Sequence, residues 1–217
     1  MYRPGDFWNT VLRRYKDAPV AAARRYFADL LKAETERFLS AHGSCLVTET
    51  GGFEAYCVVP SSHVGRIEAS THPLGTVLGG IPTMKSLSLV RLSVGVEPAA
   101  HLKPSPAAFV TQQVERSDRR RVLVVDDSWV TGARALSAVA ALGAAGWTVS
   151  GVLVLGRAVD TSASVQSRSW WDEHAGDTSR SATVSRRCCM SACLAEVPEL
   201  NRGGRSSIPE MTPRDCA

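Results

Sequence analysis

The sequence predicts an α/β fold built on a parallel sheet with helices on both faces. Three observations predict it. Short apolar runs free of charge recur along the chain, at Tyr56–Val59, Val122–Val125 and Val149–Leu155. Stretches with helical spacing of apolar residues lie between and before them. The runs show no apolar–polar alternation of the kind a strand with one wet face carries, so they read as strands buried on both faces. A length of 217 residues fits one domain with an extension. With 44% hydrophobic and 21% charged residues the composition is globular, which excludes collagen-like and wholly disordered chains.

Taken in order, Asp17-Ala18-Pro19 reads as a helix start, an acid at the cap and a proline in the first turn. Val20, Ala23, Phe27, Leu30, Leu31, Phe38 and Leu39 then follow at helical spacing, and Gly43 is the expected stop. Tyr56–Val59 is a buried strand entering a loop at Pro60. Leu87–Val94 is a second strand candidate, residues 95–108 with three prolines a loop, and Phe109-Val110-Thr111 a short strand. Arg116–Arg121 holds four arginines and reads as a solvated turn before Val122–Val125, the clearest buried strand. Leu136, Val139, Ala140 and Gly143 mark one face of the next helix, and Val149–Leu155 is the last strand. Beyond Val159 the pattern stops. Residues 1–159 are therefore read as the ligand-binding domain, with a helical hood over 1–43 and a core over 44–159. Residues 160–217 are read as a partly irregular C-terminal extension.

Charge and cysteine content narrow the class. The formal charge of +4 is too small to argue for a nucleic-acid track, even with the arginines at 116–121. The charge-free stretch Ala135–Gly156 is long enough to span a membrane, but Gly143, Gly146 and Gly151 interrupt it and its halves read as helix, then strand. With no apolar leader after Met1, the six cysteines are expected to be free thiols in the cytoplasm. Cys188, Cys189 and Cys193, with His174 or Cys216, have poor zinc spacing and read as ordinary thiols.

The chemistry concentrates in Val122-Leu123-Val124-Val125-Asp126-Asp127-Ser128-Trp129-Val130-Thr131-Gly132-Ala133-Arg134. A buried strand ends in two carboxylates, a polar turn containing Thr-Gly follows, and a helix begins. Open α/β sheets bind ligands at such strand ends. Turn amides and a helix N-terminus favour an anion, and Thr131 adds a hydroxyl while Gly132 permits close backbone approach. Adjacent carboxylates accept from vicinal hydroxyls, so the combination suits a phosphorylated sugar. Two other readings stand beside this one. The acids are ordinary sheet-edge caps in the first. In the second the segment opens a phosphoacceptor receiver domain, but that needs a late lysine, and the last lysine is Lys103.

These residues resemble the signature of the type I phosphoribosyltransferase family, with Val130 in place of a threonine and Arg134 where a hydroxyl residue usually closes the turn. A second segment, Pro60-Ser61-Ser62-His63-Val64-Gly65-Arg66 followed by His72-Pro73-Leu74, resembles the pyrophosphate loop of the competence-protein-F-like, amidophosphoribosyltransferase-related branch. Tyr15-Lys16-Asp17 and Arg91 also look like that branch, whose zinc ribbon is missing from this chain. The resemblance implies a Rossmann-like parallel sheet and binding of 5-phosphoribosyl-1-pyrophosphate (PRPP) with Mg²⁺. It implies transfer of the phosphoribosyl group to a nitrogen nucleophile with release of pyrophosphate. Asp126 and Asp127 would then hold the ribose. Ser128, Val130, Thr131, Gly132, Ala133 and Arg134 would wrap the 5-phosphate, and Ser61, Ser62, His63 and Arg66 the pyrophosphate. Loop 95–108 with Lys103 would be a lid, and His63 and His101 would be candidate proton carriers. The implied partners are PRPP and a small-molecule acceptor, with homodimers common in the family and neither membrane nor nucleic acid expected. The alternative is a non-catalytic PRPP-binding regulator or DNA-uptake accessory on the same fold.

Overall fold

Apolar runs of four to seven residues have no face to give to water, and they assemble here into one parallel sheet. A computed structural model of the chain describes residues 2–61, 72–96, 103–111, 120–162 and 164–178. Four strands, β1 (Ala55–Val58), β2 (Ser88–Val90), β5 (Arg121–Asp126) and β6 (Thr148–Val154), pair in the order β2-β1-β5-β6, every pair parallel. Cys57 lies opposite Val90 on one side and Val124 on the other. The expected strand over Leu87–Val94 splits at Arg91-Leu92. Its first half is β2, and its second half, β3 (Ser93–Val94), pairs antiparallel with β4 (Phe109–Val110) in a separate ribbon. Gly95 permits this ribbon, because a side chain there would lie 2.0 Å from the Ala107 carbonyl.

Successive strand residues face opposite ways, so the sheet builds two cores. Tyr56, Val58, Leu123, Val125 and Leu153 face one; Ala55, Cys57, Val122, Val124 and Val152 face the other. The first is covered by α1 (Phe7–Asp17), α2 (Ala21–Thr50), α3 (Pro73–Gly79) and α4 (Pro82–Lys85). The second is covered by α5 (Ala133–Ala144) and the 3₁₀ turn Pro106–Ala108. The fold is thus α/β with a parallel four-stranded sheet and helices on both faces.

The N-terminal half departs from the expectation. Asp17 ends α1 rather than capping α2, because the Ala18 amide closes α1 on the Arg14 carbonyl (3.1 Å) and Pro19 then blocks continuation. The next helix starts at Ala21 and does not stop at Gly43. Leu46 and Thr50 extend its buried seam from Leu31, Thr35 and Leu39, so packing outweighs one glycine's propensity. The stop lies at Gly51 and Gly52, both with positive φ, where the Gly52 amide reaches the Val47 carbonyl at 2.9 Å. Arg121 joins this cap through its Nη1, 2.6 Å from the Gly51 carbonyl, so the last of the arginines read as solvated has a structural partner.

Helix α5 also turns differently from its expected face. Ala135, Ala138, Val139 and Leu142 are buried, whereas Gly143 is exposed and Leu136 and Ala140 are half-buried. Ala135–Gly156 resolves into helix, turn and strand. No helix among the described residues is long and apolar enough to cross a membrane. Within the stretch read as an extension, residues 165–178 form α6. Its Trp171 is buried, and the Arg3 guanidinium lies 5.4 Å from the ring centroid. Cys45 and Cys57 are free thiols; Cys188, Cys189, Cys193 and Cys216 lie outside the described residues.

Candidate functional site

The sheet order creates a switch point. From β1 the chain crosses to β2 on one side, through α3 and α4 on the first face. Strand β5 lies on the other side of β1, and its crossover α5 covers the second face. The connections leaving β1 and β5 therefore diverge, and a crevice opens at their carboxyl ends. The Val59 amide extends the pairing to the Val125 carbonyl (3.0 Å), so the chain leaves β1 at Pro60 next to the end of β5. Ser62, His63 and Arg66 lie outside the described residues, as does His101.

Two backbone bonds fix the turn after β5. The Trp129 amide donates to the Gly156 carbonyl at 2.8 Å, and the Ala158 amide donates to the Trp129 carbonyl at 2.9 Å. Gly132 then opens α5 with φ +75, and a Cβ at that position would lie 2.1 Å from the Trp129 ring. Conformation and space both demand glycine there. The Ala133 amide donates to Thr131 Oγ1 (3.4 Å), while Val130 is 71% exposed. The first turn of α5 has no acid and carries Arg134, so an anion meets the helix dipole and a guanidinium together.

The two acids have unlike surroundings. Asp127 is buried, at 5% exposure. Tyr15 Oη and Lys16 Nζ each donate to its Oδ2 at 2.5 Å. Burial alone would raise its pKa. The Lys16 charge and hydrogen bond, the Tyr15 hydroxyl and the more distant His72 outweigh burial and hold the carboxyl below the usual range. Asp126 is half-buried at the crevice. Desolvation and then the Asp127 charge push its carboxyl up to about 7, with Arg134, Lys16 and the Asp127 amide pulling the other way. Tyr2 completes the surround. Its hydroxyl is hydrogen-bonded to Ser128, and its own pKa is raised, first by burial and then by the two carboxylates.

The structure thus gathers Asp126, Asp127, Ser128, Val130, Thr131, Gly132, Ala133 and Arg134 around one turn, and Ser61 follows the neighbouring strand β1. Residues 103–108, part of the expected lid, are fastened to α5, since Ser137 Oγ accepts from the Ser105 amide at 2.9 Å. Tyr2 and Trp129 support the site although the sequence assigns neither a role, and His72, from the segment that resembles the pyrophosphate loop, acts on the charge of Asp127. The Nδ1 of His72 caps α3 at the Leu74 amide (3.2 Å). An aromatic two residues from the N-terminus carries no spacing signal that ties it to Ser128. Trp129 did carry one, because a tryptophan three residues before a turn glycine is large enough to pack on it.

Fold and strand-end site define a parallel α/β domain with an acid pair and an anion-favouring turn at its switch point. No protein-family profile matches the chain, and no curated protein matches it. Among solved structures it is similar to adenine phosphoribosyltransferase from Saccharomyces cerevisiae, complexed with an imino-altritol bisphosphate and adenine. That likeness has 12% identity and a TM-score of 0.40, over 58% of this chain and 68% of that one. It is also similar to adenine phosphoribosyltransferase from Leishmania donovani, with 14% identity and a TM-score of 0.33, over 66% and 59% of the two chains. With Leishmania donovani UMP synthase the identity is 15% and the TM-score 0.32, over 62% of this chain and 26% of that chain.

Proposed function

We propose that this chain binds PRPP with Mg²⁺ and transfers the 5-phosphoribosyl group to a nitrogen nucleophile. One observation supports the reading above the others. The paired acids at the end of β5 run directly into a Gly132-pinned turn that opens α5 beside Arg134, at the switch-point crevice. A vicinal diol and a phosphate five bonds or so apart are complementary to that arrangement. The acids position the ribose. The turn amides, Thr131 and Arg134 hold the 5-phosphate, and Ser61 with Ser62, His63 and Arg66 receives the pyrophosphate.

In the reaction the C1–oxygen bond to pyrophosphate breaks and a C1–nitrogen bond forms, and the nitrogen gives up its proton to water or to the departing pyrophosphate. Positioning and charge neutralisation dominate such a step, because C1 becomes cationic while the leaving group gains charge. Among the described residues no cluster of three His, Cys, Asp or Glu side chains is placed to hold a metal. Mg²⁺ would be held with the phosphate oxygens of PRPP, where it would screen their charge.

Calorimetric titration with PRPP and Mg²⁺ tests the site. The wild type binds, and an Asp126→Asn/Asp127→Asn double variant does not; undiminished binding by the variant removes the acids from the site. Val130, exposed where the family carries a hydroxyl, favours a second reading, a PRPP-binding regulator or DNA-uptake accessory without turnover. Pyrophosphate release screened across nucleobases and other amines separates the two, and turnover with any acceptor rules out a purely sensory role.

A further inference from the structure

We propose that the two adjacent acids do different work: Asp126 alone takes up the ligand's diol, while Asp127 docks α1 onto the carboxyl edge of the sheet. The ligand half of this inference rests on the reading above; the docking half does not.

Strand geometry separates the pair. Val125 faces the core under α1 and α2, so Asp126 turns toward the α5 face and Asp127 turns back toward α1. The partners follow that alternation. Asp127 receives Tyr15 Oη and Lys16 Nζ, both from the last turn of α1 and both on the same oxygen. Asp126 feels Arg134 from the first turn of α5. Tyr15 and Asp127 are both buried, and Lys16 is 19% exposed at its side chain. A ligand hydroxyl could reach the paired oxygen of Asp127 only by displacing a buried ion pair and stranding a charge, which one hydroxyl–carboxylate bond does not offset. Asp126 is only half-buried, and the charge nearest to it on the α5 side is Arg134.

The fold gives α1 a reason to need this anchor. Its Asp6 N-cap makes no side-chain capping bond, and its first turn carries no acid. The Tyr15–Lys16–Asp127 cluster ties its other end to the strand that carries the site.

The charged and titratable groups facing the two acids are Tyr2, Tyr15 and Lys16 from the N-terminal segment and α1, His72 at the start of α3, and Arg134 on α5. Asp127's charge raises Asp126's titration, and Lys16's charge already lowers it. Removing the Asp127 charge in Asp127→Asn therefore moves the pH midpoint of ligand binding down, provided Lys16 keeps its place.

The experiment combines PRPP and Mg²⁺ titrations between pH 5.5 and 8.5 with hydrogen exchange over residues 7–17. Asp126→Asn is expected to weaken binding at least about tenfold, the scale of one lost charge-assisted hydrogen bond, with α1 exchange unchanged. Asp127→Asn weakens binding less, shifts its midpoint to lower pH and exposes α1 amides to faster exchange. If Asp127→Asn does not fold, Tyr15→Phe and Lys16→Met must reproduce the exchange signature, and Lys16→Arg must restore protection. The division is overturned if Asp127→Asn binds as poorly as Asp126→Asn, or if α1 stays protected in all of these variants. A wild type that binds no PRPP overturns the function proposed above and Asp126's part with it. Wild-type binding with equal losses in both variants overturns the division alone.

Discussion

The two faces of the sheet are built to opposite specifications. On the α1/α2 face the buried side chains are large, among them Leu12, Tyr15, Leu31, Leu46, Tyr56 and Leu123. On the α5 face the helix contributes three alanines, Ala135, Ala138 and Ala141, beside Val139 and Leu142, against Val122, Val124 and Val152. Small side chains let a helix lie close to its sheet; large ones hold it off and fill the gap. The thin face, with its alanines, therefore carries α5, whose N-terminus forms the turn, and the thick face carries more of the large buried aliphatic side chains. Placement of the site and stability of the fold come from different sides of one sheet.

The sharpest way to break that comparison is to remove bulk from the thick face. Leu31 is fully buried on the α2 seam. Leu31→Ala should cost about 2–5 kcal/mol, the lost transfer energy plus the cavity left between helix and sheet. Urea unfolding checks it, and a loss below about 1 kcal/mol would mean that α2 can settle into the gap and that the face is not close-packed.

Next in size is Gly132→Ala on the thin side. The left-handed conformation and the displaced Trp129 ring together should cost about 2–4 kcal/mol. Thermal melts should show the loss, and Trp129→Leu in the same chain should recover part of it by vacating the space. No recovery would assign the whole cost to backbone conformation and take Trp129 out of the turn's support.

How much of this was readable depended on how local each signal is. β1 and β5 were legible because a doubly buried parallel strand is an uninterrupted apolar run, and β6, at the sheet edge, because its buried half Gly151–Leu153 lies in a charge-free stretch. The β5–turn–α5 site was legible for the same reason, since its acids, Thr131, Gly132 and Arg134 are contiguous. The limits of α2 were not, because Gly43 signals a stop locally while Leu46 and Thr50 extend the helix through contacts distant in sequence. α1 escaped notice although Val11, Leu12 and Tyr15 share a face, because Asp17-Ala18-Pro19 imitates a helix start. The Lys16–Asp127 pair spans 111 residues, and no pattern in a single sequence marks it. The split of Leu87–Val94 likewise depends on β4, a partner from beyond the proline-rich loop.

Adding bulk to the thin face reverses the first experiment. Ala138 is fully buried against the sheet. Ala138→Leu should cost about 1–3 kcal/mol by overpacking and should tilt α5, so PRPP binding should weaken along with stability. An equally destabilising Leu31→Val on the other face should leave binding closer to wild type. If both variants lose binding in proportion to stability, the thin face has no special part in placing the turn.

The smallest effect carries a sign that depends on pH. Asp126's carboxyl is raised to about 7 by desolvation and by Asp127, so between about pH 4 and 7 the folded chain holds a proton that the unfolded chain has released. Stability attributable to this group therefore falls as pH rises through that window and stays at its lower level above it. Asp126→Asn removes the ionisation, so the variant should be more stable than wild type at pH 8, by about 1–2 kcal/mol after discounting for the group's contact with water, and close to wild type at pH 4. Asp127→Asn should behave oppositely, because a depressed carboxyl contributes stability that is present above its unfolded pKa and lost in acid. Urea titrations of both variants at the two pH values check the pair. The same sign for both acids at pH 8 would mean that their surroundings are alike and that the asymmetry between the two faces ends before it reaches the site.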